Sequence, residues 1–99
     1  MKVKLNETIK GIDGEPLVNP DPKHKGEFLT LKNFCINSLL TPVENEDEKK
    51  KWEKYELYKR LRDEDEVDLK AEDIVLIKKF LGKFQPQLIM GQCFELLDQ

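Results

Sequence analysis

Apolar residues recur at helical spacing through most of the chain after residue 30, and this pattern constrains the fold more than any other feature. The first such stretch runs from about 31 to 40, behind a possible capping residue, Thr30. It ends at Thr41-Pro42, because the residue before a proline is pushed out of the helical region. Three further stretches follow, and the sequence therefore predicts about four packed helices: roughly 31–40, 46–62, 70–83 and the residues after Pro86.

The second of these helices is marked most clearly by its charges. Acidic residues fill its first turn and basic residues its last, so both ends complement the helix dipole. An aromatic or leucine residue recurs at every third position, and we expect these side chains to form the buried stripe of the helix: Trp52, Tyr55, Tyr58 and Leu61.

Residues 1–30 have a different character, extended and rich in turns. Val3 and Leu5 alternate with polar residues, which is typical of a half-exposed strand. Asp13-Gly14 is a hairpin signal, and Pro16 confines the return segment to a sheet edge because proline has no N–H to donate. A second short strand is expected at 67–69. The prediction is one α+β domain over 1–99: a short N-terminal antiparallel hairpin or small sheet in 1–30, then about four packed helices in 31–99.

Composition narrows the classes of function. The chain has 99 residues, of which 37% are charged, yet its net charge is only −3. This balance disfavours direct nucleic-acid binding, which needs a basic excess. Lys49-Lys50-Lys51 beside Trp52 is the one basic and aromatic cluster, and flanking acids cancel most of its field. We interpret it as a solvated helix face.

The cysteines and the N-terminus indicate a compartment. The first residues show no apolar signal-peptide core, and no apolar run approaches the roughly 20 residues that span a bilayer. Cys35 and Cys93 each lie among apolar neighbours, so we expect two reduced thiols in the core. The expected location is the cytoplasm, without membrane association.

Neither catalysis nor metal binding has a candidate motif. The single histidine, His24, lies in a proline- and lysine-rich loop without a nucleophile nearby in sequence. The cysteines lack the close spacing of zinc ligands. The acidic run after residue 63 fails as an EF-hand, because its sixth and twelfth positions hold Asp68 and Ile74 instead of glycine and glutamate. We expect no enzyme activity, no catalytic or metal site and no cofactor.

Two surfaces are candidates for binding a partner. The acidic connector, which comprises Asp63, Glu64, Asp65 and Glu66, is either a solvated loop or a negative patch for a basic partner. The last helix carries more apolar residues than one buried stripe requires, and Met90 and Phe94 are its candidate contacts.

Several segments spread over most of the chain form a recognisable set: the Asp13-Gly14 hairpin, Leu29-Thr30-Leu31, Leu39-Leu40, Lys54-Tyr55-Glu56-Leu57, residues 66–79, Pro86, Gly91-Gln92 and Glu95-Leu96-Leu97. Together they resemble a family of small proteins encoded by bacteriophages and prophages, although Lys70 stands where the family pattern favours a threonine or serine cap. No activity is established for that family, so the resemblance implies a phage context in bacterial cytoplasm and assigns no site residue.

The leading hypothesis is a non-catalytic accessory protein of phage type that binds a host or phage protein of unknown identity. A sharper version is an inhibitor that uses the acidic connector against a host complex that handles nucleic acid or serves in defence. The alternative is a small oligomeric structural component or assembly chaperone of a virion, which predicts stable self-association.

Overall fold

The computed structural model describes residues 1–98, in which a two-stranded antiparallel sheet is followed by four helices. Strand β1 (Lys2–Lys4) pairs with strand β2 (Glu66–Asp68), and Val3 lies opposite Val67. Both valines are buried while their neighbours along each strand are exposed, as the alternating pattern requires. The predicted α+β class and the predicted short strand before the third helix are confirmed.

The Asp13-Gly14 turn forms, but it does not supply the partner strand of β1. Gly14 has a φ of +81°, and the Glu15 N–H donates to the Asp13 carboxylate at 3.0 Å. An isolated antiparallel bridge joins Lys10 to Pro16, so the hairpin is a closed turn without a longer ladder. The sheet is completed by β2 instead, more than sixty residues along the chain.

Helix α1 (Leu31–Leu40) begins where the sequence predicts, after Thr30, whose N–H donates to the Asn33 side chain at 2.8 Å. Helix α2 (Glu48–Asp63) begins about two residues later than predicted. Asp47 caps it by accepting the Lys50 N–H at 2.7 Å. Glu46 lies outside the helix because its carboxylate turns inward to the Lys54 ammonium at 2.9 Å.

Helix α3 (Ala71–Phe84) and helix α4 (Gln87–Leu97) complete the fold, and both agree with the predicted ranges within two residues. The sequence left the cap of α3 open between Asp68 and Lys70. Lys70 occupies that position, and its N–H donates to the Asp73 carboxylate at 3.1 Å. A capping box has two hydrogen bonds, and this is the one from the backbone N–H of the cap residue to the side chain three residues later. It stabilises the start of α3 in the absence of a serine or threonine at the cap.

One core connects the sheet with all four helices, and the two cysteines lie in it as free thiols, as predicted. Apolar residues at helical spacing predict one buried stripe on α1 and one on α3, and both stripes are buried in this core except for Phe34 and Phe84, which are half-buried. The predicted residues are Leu31, Phe34, Cys35 and Leu39 on α1, and Ile74, Ile77, Phe80, Leu81 and Phe84 on α3. The fully buried large side chains of the core include Leu5, Ile9, Leu31, Leu39, Leu61, Leu69, Ile77, Leu81 and Leu97.

The buried stripe predicted for α2, with Leu57 beside it, is wrong at Trp52 and Tyr55 and confirmed at Leu57 and Leu61. Trp52 is 60% exposed and Tyr55 is 44% exposed, whereas Lys54, Leu57 and Leu61 are buried. A step of three residues turns a helix by about 300°, so a row of such steps drifts by roughly 60° each time and cannot stay on one side. Alternating steps of three and four residues, as from 54 to 57 to 61, keep the side chains on one face.

Candidate functional site

The acidic connector is partly neutralised by bases of the same chain. Asp63 pairs with the Arg62 guanidinium at 2.9 Å, and this hydrogen bond holds the pKa of the Asp63 carboxyl below its usual range. Asp65 pairs with the Lys32 ammonium at 3.2 Å. Glu64 and Glu66 are exposed and form no ion pair with the described residues. The connector therefore presents two unpaired carboxylates instead of four.

Met90 and Phe94 lie where α4 returns against α3. A Cβ at Gly82 of α3 would stand 3.7 Å from the Met90 sulfur and 3.9 Å from the Phe94 ring, which shows how closely the helices approach. Both side chains are half-buried, and the Lys78 ammonium lies 5.2 Å from the centre of the Phe94 ring. Only their outer edges are accessible, while Leu88 on the same helix is 47% exposed.

A further exposed apolar feature is a row of aromatic rings along α2, in which Trp52 and Tyr55 are exposed and Tyr58 is half-buried. We call Trp52, Tyr55 and Tyr58 the aromatic row. Consecutive ring centres lie 5.8 Å and 6.1 Å apart, with interplanar angles of 39° and 40°. Such tilted contacts order the rings relative to one another. The row is thus a defined surface on the solvent side of a regular helix.

Cations of α2 cover parts of these rings. The Lys59 ammonium lies 5.1 Å from the centre of the Tyr55 ring, and the Arg62 guanidinium lies 5.5 Å from that of Tyr58. Each of these cations also contacts a carboxylate of the same helix: Glu56 in the first case and Asp63 in the second. The flat faces of the two tyrosines are therefore occupied in part by the protein's own side chains.

A groove of about 350 Å³ lies beside the aromatic row, between α2 and the end of α1. Its apolar wall includes Leu40, which is 49% exposed, together with Pro42 and Val43. Tyr55 and Lys51 form the opposite wall. We call this depression the α1–α2 groove; its volume suits one large apolar side chain of a partner.

A buried ion pair forms part of the lining of the α1–α2 groove. The side chains of Lys54 and Glu46 are 6% and 7% exposed, and the ammonium also lies 4.2 Å from the centre of the Phe80 ring. Because burial of either charge alone would be costly, the pair fixes the 41–47 loop against α2. The groove thus has a rigid wall.

A depression of about 770 Å³, lined by both polar and apolar residues, lies between the 19–28 loop and α1. His24 lines it, and its Nδ1 contacts the carboxylate of Glu27, three residues away in the chain. Both side chains are more than half exposed. A histidine and a carboxylate can hold a proton or a polar ligand there, but neither cysteine lines this depression.

The cysteines have the properties of structural residues. Burial raises the pKa of the Cys93 thiol to about 12 and raises that of Cys35 further. A thiol that stays protonated is a poor nucleophile and a poor metal ligand. Within residues 1–98 no group of three or more His, Cys, Asp or Glu side chains is placed to hold a metal ion.

Comparison with known proteins adds no assignment, since the chain matches no protein-family model, no curated protein sequence and no solved structure. Among the described helices none is long and apolar enough to cross a membrane. The aromatic row was missed as a site because its three-residue spacing was taken for a core stripe. The drift of that spacing around a helix was the available signal.

Proposed function

We propose that this chain is a non-catalytic protein-binding domain, an accessory protein whose contact surface is the aromatic row and the adjoining α1–α2 groove. The observation that supports this most is the exposure of Trp52 and Tyr55, 60% and 44%. Tyr55 lines the α1–α2 groove, and Trp52 lines a separate depression between α2 and α3. Tryptophan and tyrosine dominate the energetics of protein interfaces, because they bury much area at little entropic cost. A helix that only had to stay in solution would place charged residues there.

A protein partner accounts for this surface better than single-stranded nucleic acid does. Bases stack on open aromatic faces beside a basic groove. Here Lys59 and Arg62 cover the tyrosine faces, and each is already paired with a carboxylate. The resemblance to phage-encoded proteins suggests that the partner is a phage protein or a protein of the bacterial host.

The version of this proposal in which the acidic connector inhibits a basic partner has weaker support. Two of its four carboxylates, Asp63 and Asp65, are satisfied within the chain. Exposed ion pairs of this kind contribute little energy, but they lower the field that a basic partner would meet. We therefore place the binding surface on α2.

Affinity capture tests the proposal. The tagged wild-type chain, Trp52→Ala, Tyr55→Ala and the control Ile12→Ala would be used on lysate of a phage-infected bacterial host, with retained proteins identified by mass spectrometry. Ile12 is 97% exposed and lies outside the surface, so it is a matched apolar truncation. We expect one stoichiometric partner that is retained by wild type and Ile12→Ala and lost by both α2 variants.

Two results would contradict the proposal. Equal recovery of every partner by all four proteins would remove the aromatic row from the interface. A wild-type chain that light scattering shows to be a stable oligomer, with monomeric Trp52→Ala, would assign the row to self-association and favour the structural role in a virion.

A further inference from the structure

Resting on the proposed function, we propose that the α1–α2 groove takes an amphipathic helix of the partner, with an apolar stripe flanked by carboxylates. The occupant is thus defined by chemistry: a short acidic helix, and neither a basic segment nor a second copy of this chain. The geometry of two adjacent helices, their exposed apolar residues and the charges along the groove support it.

The first argument is the arrangement of α1 and α2. The Lys32 ammonium, near the start of α1, donates to the carbonyl of Arg62, near the end of α2, at 3.3 Å. At the opposite end, Leu40 and Tyr55 line the same groove. The two helices therefore run antiparallel, and the surface furrow between them can hold a third helix.

The second argument is the apolar lining of the groove and of the neighbouring face of α1. Leu40 and Pro42 line the α1–α2 groove and also a depression of about 500 Å³ on that face, which is lined by residues of α1 and of the 41–42 turn. Ile36 enters this depression from the preceding turn of α1. Ile36 and Leu40 are spaced by four residues and so lie on one side of α1. Apolar side chains at helical spacing on a partner would find two successive positions there.

The third argument is charge. Four charged side chains line the two depressions, of which three are lysines and one is an acid: Lys32, Lys51, Lys54 and Glu46. Glu46 and Lys54 satisfy each other, and Lys32 has Asp65 as its partner. Lys51 forms no ion pair with any described residue. Its position at the mouth of the groove favours a carboxylate from the occupant.

Matched model peptides test this inference. Two fluorescein-labelled synthetic peptides of roughly four helical turns would carry leucines at spacings of three and four residues. The first peptide has glutamate at all the remaining positions, and the second peptide has lysine there. Binding of each peptide to the chain is measured by fluorescence anisotropy. We expect the glutamate peptide to bind at least about tenfold more tightly, and its affinity to fall as sodium chloride rises from about 50 to 500 mM.

Variants of the chain localise the effect. Lys51→Glu should reverse the preference between the two peptides, while Leu40→Ser should weaken the glutamate peptide by about tenfold or more. Ile12→Ser serves as the control for removal of an exposed apolar side chain. Unchanged far-UV circular dichroism would show that each variant folds. Leu40 is 49% exposed, so its replacement leaves the core intact.

Four outcomes overturn the inference: equal binding of both peptides, binding of neither, indifference to Lys51→Glu, or a wild-type dimer that Leu40→Ser dissociates. The proposed function fails separately. If the chain captures a partner through Trp52 but binds neither peptide, protein binding at the proposed surface is supported and the acidic helix is contradicted as its occupant. Capture that is indifferent to Trp52→Ala and Tyr55→Ala removes the proposed surface itself.

Discussion

The two faces of helix α2 reverse the usual distribution of residue types. Its inner face buries Lys54 together with Leu57 and Leu61. Its outer face exposes Trp52, the only tryptophan of the chain, beside Tyr55. The free-energy cost of burying the Lys54 ammonium is offset because it pairs with the Glu46 carboxylate and lies over the face of the Phe80 ring. The aromatic row is covered only in part, by Lys59 and Arg62. The comparison teaches that the inner face serves the fold, whereas the outer face is the one that we propose for an interaction.

The largest effect on stability is expected at the buried ion pair. Glu46→Ala leaves the Lys54 ammonium buried without a counter-charge, which should lower the free energy of unfolding by about 3–5 kcal/mol. Urea denaturation followed by circular dichroism measures it. The double variant Glu46→Ala with Lys54→Met should recover most of the loss. A single variant as stable as wild type would show that the pair does not fix the inner face.

The second largest effect on stability is expected from shortening a side chain on the inner face of α2. Leu61→Ala removes a fully buried side chain and should cost about 2–5 kcal/mol, since the surrounding core closes only partly around the cavity. Its effect should appear equally in the urea midpoints measured by tryptophan fluorescence and by circular dichroism. A loss below about 1 kcal/mol would mean that the core collapses freely at this position.

Trp52→Ala and Tyr55→Ala should each change stability by less than about 1 kcal/mol, because the first removes one tilted ring contact, the second removes two, and both remove little buried area. The same variants should abolish capture of the partner. Urea midpoints and capture measured on the same preparations separate the two effects. If either variant destabilised the chain as much as Leu61→Ala, the aromatic row would belong to the fold.

The smallest effect is expected at the exposed ion pair at the end of α2. Hydrogen bonding from Arg62 lowers the pKa of Asp63 in the folded state, so its stabilisation is complete above the unfolded pKa of about 3.9 and is lost as the pH falls through the lowered folded pKa. Wild type should therefore have a slightly higher urea midpoint than Asp63→Asn at neutral pH, and the difference should be small because the pair is exposed. Below about pH 4 the wild type should lose stability more steeply, and parallel curves would contradict this.

Local sequence determined much of the fold. Thr41-Pro42 separates α1 from α2, Pro86 separates α3 from α4, and Gly14 supplies the positive φ of the turn. Apolar spacing correctly identified the buried stripe of α3. These features depend on interactions within a few residues, so their physical causes are present in the sequence itself.

Tertiary structure decided the remainder. Helical spacing alone predicted that Trp52 and Tyr55 are buried, and their exposure was decided by the packing of α2 against α1 and by the inward turn of Glu46. The pairing of β1 with β2 likewise depends on residues far apart in the chain. The drift of the three-residue spacing could have separated Trp52 from Leu61, but which of the two faces meets water is a property of the packed molecule. The sequence by itself determined where helices and turns begin and end, and only long-range packing determined which of their faces meet water.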